Sequence, residues 1–297
     1  MSQPKPLPIW DRSARKLVEE WMDDHPTTYE TKPTRSLMEW MQSFRLYDKA
    51  YALTQRRRGS AKKIQPFVEK YKIDMSEFEQ KEYKSFDDWF VREFRPGVRH
   101  FPRKVGEMGA VCEARYFAWE KVDPKQRFPI KGHALDAAQL MGSEERAKPF
   151  IGGPVILVRL APMDYHRVHF PDNGKMVERL TLGRRLWTVS WKAVRNKEDI
   201  YLKNEREIQI LDTKHFGRLA MIEIGALTIG RIVQTHKPGT PFERGDQKAL
   251  FRYGGSAVAI FGEPGAWRPS DDLIEQTKSG VETFVRLGEV VATRTKE

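Results

Sequence analysis

A single cysteine, Cys112, is all that the 297 residues contain. That excludes an internal disulfide framework and any multi-cysteine metal site, and a reducing compartment is the natural expectation. Long apolar runs are also lacking. No stretch approaches the ~20 consecutive apolar residues that span a bilayer. The first residues, Met1 to Pro8, are proline-rich and have no apolar core of the secretory kind. There is no internal repeat and no low-complexity tract. Acidic charge is in deficit, with 41 Asp and Glu against 52 Lys and Arg, a formal net charge of +11. The excess favours a polyanionic partner, either nucleic acid or the anionic face of a membrane. The basic residues are spread out and no nucleic-acid motif occurs, so nucleic acid is not expected.

What is present falls into two textures, and together they predict an α+β protein. The first, about residues 1–100, reads as helical and is a candidate membrane-associating region. Asp11 is placed to cap a helix carrying Ala14, Leu17, Val18, Trp21 and Met22, which ends before Pro26. A second helix is expected from Thr34 or Ser36, with Leu37, Trp40, Met41, Phe44, Tyr47 and Tyr51 on one stripe. That stripe suits a packed core or, beside Arg56-Arg57-Arg58, a lipid interface; spacing does not choose. A third helical run holds Ile64, Phe67, Val68 and Tyr71. A compact aromatic helix at Phe86, Trp89, Phe90 and Phe94 is closed by Pro96-Gly97.

From about residue 101 to 297, short β-rich runs alternate with glycine and proline breaks. Strands are expected at Pro154–Leu160, Arg218–Ile224, Leu227–Gln234 and Ala257–Phe261. Turns are marked at Gly152-Gly153, Asn173-Gly174, Pro238-Gly239 and Gly254-Gly255. No long amphipathic helices separate these strands, which argues for a β-rich, mainly antiparallel body over a doubly wound sheet. After Pro269 a polar turn and a short helix or strand are expected.

Two short stretches can carry chemistry. In Asp164-Tyr165-His166-Arg167-Val168-His169, two histidines stand three apart. They can ligate a metal only if other ligands converge, and the remaining histidines show no such pairing, so no metal is expected. Positions three apart face opposite sides of a straight strand, so the segment must bend if both rings serve one pocket. The second stretch is Gly254-Gly255-Ser256-Ala257. Its ordinary meaning is a turn opening a strand. It can also support a particular reaction, in which a serine attacks the preceding carbonyl. A glycine there leaves the carbonyl open and tolerates strained backbone. The hydroxyl needs a base, normally a histidine oriented by a carboxylate.

Taken in order, several stretches resemble the phosphatidylserine decarboxylase family. They are Ser85-Phe86-Asp87-Asp88-Trp89-Phe90-Val91-Arg92, Phe128-Pro129-Ile130-Lys131-Gly132, the run from Arg159 to Pro171, Asn204-Glu205-Arg206, the run from Gly217 to Ala226, and Gly245-Asp246 ahead of Phe251 and Gly254-Gly255-Ser256. The resemblance covers roughly Ser60 to Glu263. It implies a self-processed, pyruvoyl-dependent decarboxylase that cuts itself between Gly255 and Ser256. Ser256 becomes the covalent pyruvoyl group, which serves as electron sink. His169 acts with a carboxylate and the serine in self-cleavage, and His166 serves decarboxylation as the acid.

The carboxylate normally lies in an Asp-Gly pair; here Glu113-Ala114 stands in its place, and Ala257 stands where a threonine is usual. The implied reaction converts phosphatidylserine to phosphatidylethanolamine and carbon dioxide through a Schiff base to that pyruvoyl group. The implied partners are the substrate and an anionic phospholipid membrane. The implied setting is cytoplasmic and peripheral on the inner membrane, with a homodimer of processed chain pairs. Two alternatives stay open at this level: a same-fold decarboxylase of a free amino acid, and a lipid-binding homologue that does not cleave.

Overall fold

A computed structural model describes residues 7–20, 52–123, 128–130, 133–183, 205–225, 232–252 and 256–295. Its centre is a ten-stranded sheet. From one edge to the other run Pro241–Phe242, Gly174–Leu182, Arg206–Thr213, Arg218–Ile224, Ser256–Gly262, Val155–Leu160, Ala114–Trp119, Glu282–Val285, Leu7–Asp11 and Lys16–Glu20. All these pairings are antiparallel except that of Leu7–Asp11 with Glu282–Val285, which is parallel. The expectation of a β-rich, mainly antiparallel body therefore holds.

The middle strands are buried on both faces, which explains their nearly unbroken apolar sequences. Val155–Leu160 is buried at every residue. Its alternate residues go to different cores. Ile156, Val158 and Leu160 meet Met221, Val258 and Ile260 in one layer, while Val155 and Leu157 meet Ile222, Ala259 and Phe261 in the other. Each fully buried side chain of this kind contributes roughly 1.5–3 kcal/mol. The first layer is closed by two three-stranded sheets and by the helix Asp271–Lys278, which inserts Leu273. One small sheet orders Ile232–Gln234, Gln247–Phe251 and Arg167–His169; the other orders Trp267–Pro269, Val290–Arg294 and Glu107–Gly109. The second layer is closed by the short helices Ala137–Met141 and Glu144–Ala147.

The N-terminal helix expected from Asp11 is not formed. Residues 7–20 make a hairpin, Leu7–Asp11 against Lys16–Glu20, with Ile9 opposite Val18. Asp11 does cap backbone, but in a turn: its Oδ1 accepts from the Ser13 hydroxyl at 2.7 Å and from the Ala14 N–H at 3.0 Å. Arg15 then takes a left-handed φ of +50° and turns the chain back. The deciding contact is long-range, since Ile9 is buried and its strand joins Glu282–Val285. Trp21, Met22 and the helix expected from Thr34 to Tyr51 lie outside the described residues.

The later helices form as Ile64–Tyr71 and Phe86–Phe90; the second stops short of Phe94, which bridges to Phe78 instead. Ser85 caps the second by accepting from the Asp88 N–H at 3.1 Å. The strands at 155–160, 218–224 and 256–262 match expectation closely. Of the expected Leu227–Gln234 strand, Ile232–Gln234 is described and is strand. The tail adds Asp271–Lys278, Glu282–Val285 and Val290–Arg294.

Candidate active site

Ser256 opens the strand Ser256–Gly262, between Val155–Leu160 and Arg218–Ile224, and stands opposite Leu160. Residues two apart share a face, so Ser256 points with Val258 and Ile260 into the layer that also holds Val168, Ala249 and Phe251. It is 3% exposed, and its Oγ has no hydrogen-bond partner among the described residues. A buried hydroxyl left unpaired is costly, and such groups mark sites where chemistry is held ready. Gly254 and Gly255 lie outside the described residues, as do Lys131 and Gly132.

Leu160 leads directly into the histidine segment. The chain turns at 162–164, Tyr165 bridges to Glu113, and Arg167–His169 forms a strand. The segment bends here, and the two rings meet different neighbours. His166 is fully buried, with Nδ1 at 2.9 Å from the Asp164 carbonyl and its ring 3.9 Å from that of Phe90. The Phe251 N–H donates to the His166 carbonyl at 2.9 Å. Arg92 Nη2 donates to the carbonyls of Met163 at 2.8 Å and Asp164 at 3.3 Å, clamping the turn before His166.

His169 presents its two nitrogens unequally. Nδ1 lies 2.8 Å from the Gly245 carbonyl, so that nitrogen carries the proton and donates. Nε2 then offers its lone pair, and the Tyr165 hydroxyl donates to it at 3.2 Å. Burial lowers the His169 pKa below the ordinary histidine value, partly opposed by the bond to Gly245, which keeps the ring a neutral base. Gly245 has φ +88°, and a Cβ there would meet the Phe101 ring at 3.0 Å. Glycine is needed to aim that carbonyl.

Glu113 is held elsewhere. Arg99 grips its carboxylate in two-pronged fashion, Nε to Oε2 at 2.6 Å and Nη2 to Oε1 at 2.8 Å, and the Leu287 N–H donates to Oε2 at 3.1 Å. The same guanidinium grips Glu77 at 3.0 and 2.7 Å. Among the described residues no hydrogen bond joins Glu113 to His169. The two segments do touch, because the His169 N–H donates to the Val111 carbonyl at 2.9 Å. Ala114, in the usual place of glycine, begins a regular strand without a positive φ.

Beneath the site lies a set of buried charges whose pairing no motif announced. Arg115 pairs with Asp164 and with Glu20, and Arg159 pairs with Glu20 and Glu282. Burial alone raises the Glu20 carboxyl, but Arg115 and Arg159 outweigh it and hold it at about 2. Burial raises Asp164, against the pull of Arg115. Lys248 and Glu223 form a second pair in the Ser256 layer, both without exposure. Arg159, Asp164, Tyr165, Glu223 and Gly245 stand in stretches that the sequence singles out, though their partners do not show there; Glu20, Arg99, Arg115, Lys248 and Glu282 stand in none. Arg92 had stood out only within its aromatic stretch.

A buried serine opening a strand, opposite a strand that leads on into a segment bearing a neutral histidine, is an arrangement that suits a self-processing β-fold enzyme. The sequence profile described as phosphatidylserine decarboxylase matches residues 86–293. The phosphatidylserine decarboxylase proenzyme of Ruminiclostridium cellulolyticum is 36% identical over 234 residues, 78% of each chain. Proenzyme 2 of Clostridium acetobutylicum is 34% identical over 263 residues, 89% of each chain. That of Desulfitobacterium hafniense strain Y51 is 33% identical over 271 residues, 91% of each. The chain belongs to the phosphatidylserine decarboxylase family.

Proposed function

We propose that this protein decarboxylates phosphatidylserine to phosphatidylethanolamine and carbon dioxide, with a pyruvoyl group made from Ser256 when the Gly255–Ser256 bond is cut. The observation that carries the proposal is the buried Ser256 hydroxyl, unpaired among the described residues and facing the layer that holds the Arg167–His169 strand. Family membership supports it, and relatives are named as proenzymes. His169 takes the serine proton at Nε2, with Gly245 fixing the tautomer. The freed oxygen attacks the Gly255 carbonyl, and the proton passes to the Ser256 nitrogen as the C–N bond breaks, leaving an ester. β-Elimination of that ester frees the Gly255 carboxylate, and water converts the remaining dehydroalanine to the pyruvoyl group with loss of ammonia. Glu113 supports the acyl shift by holding the 111–113 segment alongside Tyr165.

The residues fit the group: Ser256 is enclosed, and its position after two glycines leaves the preceding carbonyl open to attack. Once formed, the pyruvoyl carbonyl supplies an electron sink for the carbon that loses its carboxylate. His166 holds a proton for that carbon, anchored at Nδ1 by Asp164 and shielded from water by Phe90. Attachment to the anionic face of the inner membrane is supported by the exposed Arg56, Arg57, Arg58, Lys62 and Lys63. Among the described residues no helix is long and apolar enough to cross a membrane.

A denaturing mass spectrum of the purified protein tests the proposal, together with carbon dioxide release from phosphatidylserine micelles and from free serine. Two chains, 1–255 and a blocked 256–297, and release from the lipid alone are expected. A single chain with Ser256 intact overturns it. Release from free serine alone redirects it to an amino-acid decarboxylase.

A further inference from the structure

An open cleft of about 410 Å³ is lined by Arg56, Lys84, Ser85, Asp87, Asp88 and Arg252, none of them given a catalytic role above. Its construction is specific. Asp87 is buried, and its Oδ2 holds Arg252 Nη1 at 2.6 Å and Arg56 Nε at 3.4 Å. One carboxylate thus sets two guanidiniums side by side, with one positive charge uncompensated. Both arginine side chains stay about two-fifths exposed, at 42% and 37%. Each keeps N–H donors beyond those spent on Asp87. Lys84 adds a third cation on the rim and Asp88 a second carboxylate, so three cations face two carboxylates and the lining keeps a net charge of +1. A singly charged group with two acceptor oxygens complements this arrangement, and paired guanidiniums suit phosphate oxygens best.

The cleft is joined to the site at two places. Asp87 lies on the helix Phe86–Phe90, three residues or about 4.5 Å of helix rise before the Phe90 ring that packs on His166. Arg252 directly follows Phe251, whose N–H donates to the His166 carbonyl. The outer side carries the exposed basic run Arg56-Arg57-Arg58 with Lys62 and Lys63, beside Leu53 at 58% exposure. Ser60 locks that ridge onto the same helix: its Oγ accepts from the Phe86 N–H at 2.9 Å and donates to the Gln55 carbonyl at 2.7 Å.

We propose that Arg252 and Arg56 bind the phosphodiester of the phospholipid headgroup in this cleft. The assignment rests on the lipid-decarboxylase proposal above. It also gives that reaction a reason to prefer a lipid over a free amino acid, since the phosphate becomes a required handle.

The test is binding of soluble sn-glycero-3-phosphoethanolamine, the product headgroup, to the full-length protein by titration calorimetry, beside ethanolamine and inorganic phosphate. Wild type is expected to bind the headgroup more tightly than either fragment. Arg252→Gln is expected to weaken headgroup binding roughly tenfold or more, as for loss of a charge-assisted bond. Ethanolamine binding and self-cleavage should stay unchanged. Arg252→Lys, which keeps the charge for Asp87, should fall between the two, and Arg56→Gln should weaken binding as well. These two variants carry the test if Arg252→Gln does not fold. Unaltered headgroup binding in Arg56→Gln and Arg252→Lys overturns the proposal. So does inorganic phosphate binding as tightly as the headgroup, which marks a generic anion site. Failure of wild type to release carbon dioxide while headgroup binding depends on Arg252 would sink the enzyme reading and leave this site standing.

Discussion

The Tyr165 hydroxyl donates to His169 Nε2 at 3.2 Å, on the edge of the ring opposite the Gly245 carbonyl. A neutral base is thereby held with its lone pair occupied until a better donor arrives. Tyr165→Phe removes a donor that favours the neutral ring, so the His169 pKa should rise. Burial sets that pKa below the ordinary value. Wild-type self-cleavage should therefore persist as pH falls past the usual histidine range, and its acid limb should move to higher pH in Tyr165→Phe. One neutral hydrogen bond suggests a change of about 2- to 10-fold in rate at neutral pH. Cleavage half-times of freshly synthesised chain across pH give the answer; identical profiles would remove Tyr165 from the mechanism.

Glu113 touches Arg99 and the Leu287 N–H. If it serves cleavage by holding its segment against Tyr165, then Arg99 and Glu113 act as one unit. Glu113→Gln and Arg99→Ala should each slow cleavage, and the double variant should be no slower than the worse single. Arg99→Ala should also lower stability by about 3 kcal/mol, as for a largely buried pair broken on one side. Cleavage of Glu113→Gln at the wild-type rate would show that the carboxylate is only structural.

Local chemistry was legible in the sequence where one element settles its own structure. The Val155–Leu160 run is apolar on both faces because both faces are covered. The aromatic spacing announced the helix Phe86–Phe90, though not that it stops before Phe94. The 7–20 hairpin was not legible. Leu17 and Val18 suit a helix or a strand, Asp11 caps either a helix or a turn, and the choice is made by Glu282–Val285 at the far end of the chain. The site divides in the same way. Ser256, His166 and His169 show in their motifs. The Gly245 carbonyl is backbone, and Arg99 lies in no motif, so their roles appear only once distant segments are in contact.

Glu20 gives the hairpin a pH-dependent anchor. Its folded pKa of about 2 lies below the ordinary 4.5, because Arg115 and Arg159 outweigh burial. A depressed carboxylate contributes stability above its unfolded pKa and loses it as pH falls through its folded value. The contribution is roughly 3 kcal/mol at neutral pH. Wild type should therefore lose stability between about pH 5 and pH 2 through this group. Glu20→Gln should be less stable than wild type at pH 7, and the gap should shrink towards pH 2. Urea midpoints at several pH values measure it, and a constant gap would show that the charge on Glu20 is not the source.

Lys248 and Glu223 are both without exposure in the layer that Ser256 faces, and Gln234 Nε2 donates to the same carboxylate at 2.9 Å. Burial lowers the Lys248 pKa, and Glu223 opposes it. Two charges taken out of water give little net stability as a pair, yet each strongly penalises loss of the other. Lys248→Met alone should lower stability by about 3–5 kcal/mol, because the Glu223 charge is left without a cation. Lys248→Met combined with Glu223→Leu removes both charges and fills similar volume. The double variant should recover most of the loss, short of the Gln234 bond that goes with the carboxylate. A double-mutant cycle from urea unfolding reads the coupling directly. Additive losses would mean that the two groups are stabilised separately, and that the Ser256 layer tolerates either charge alone.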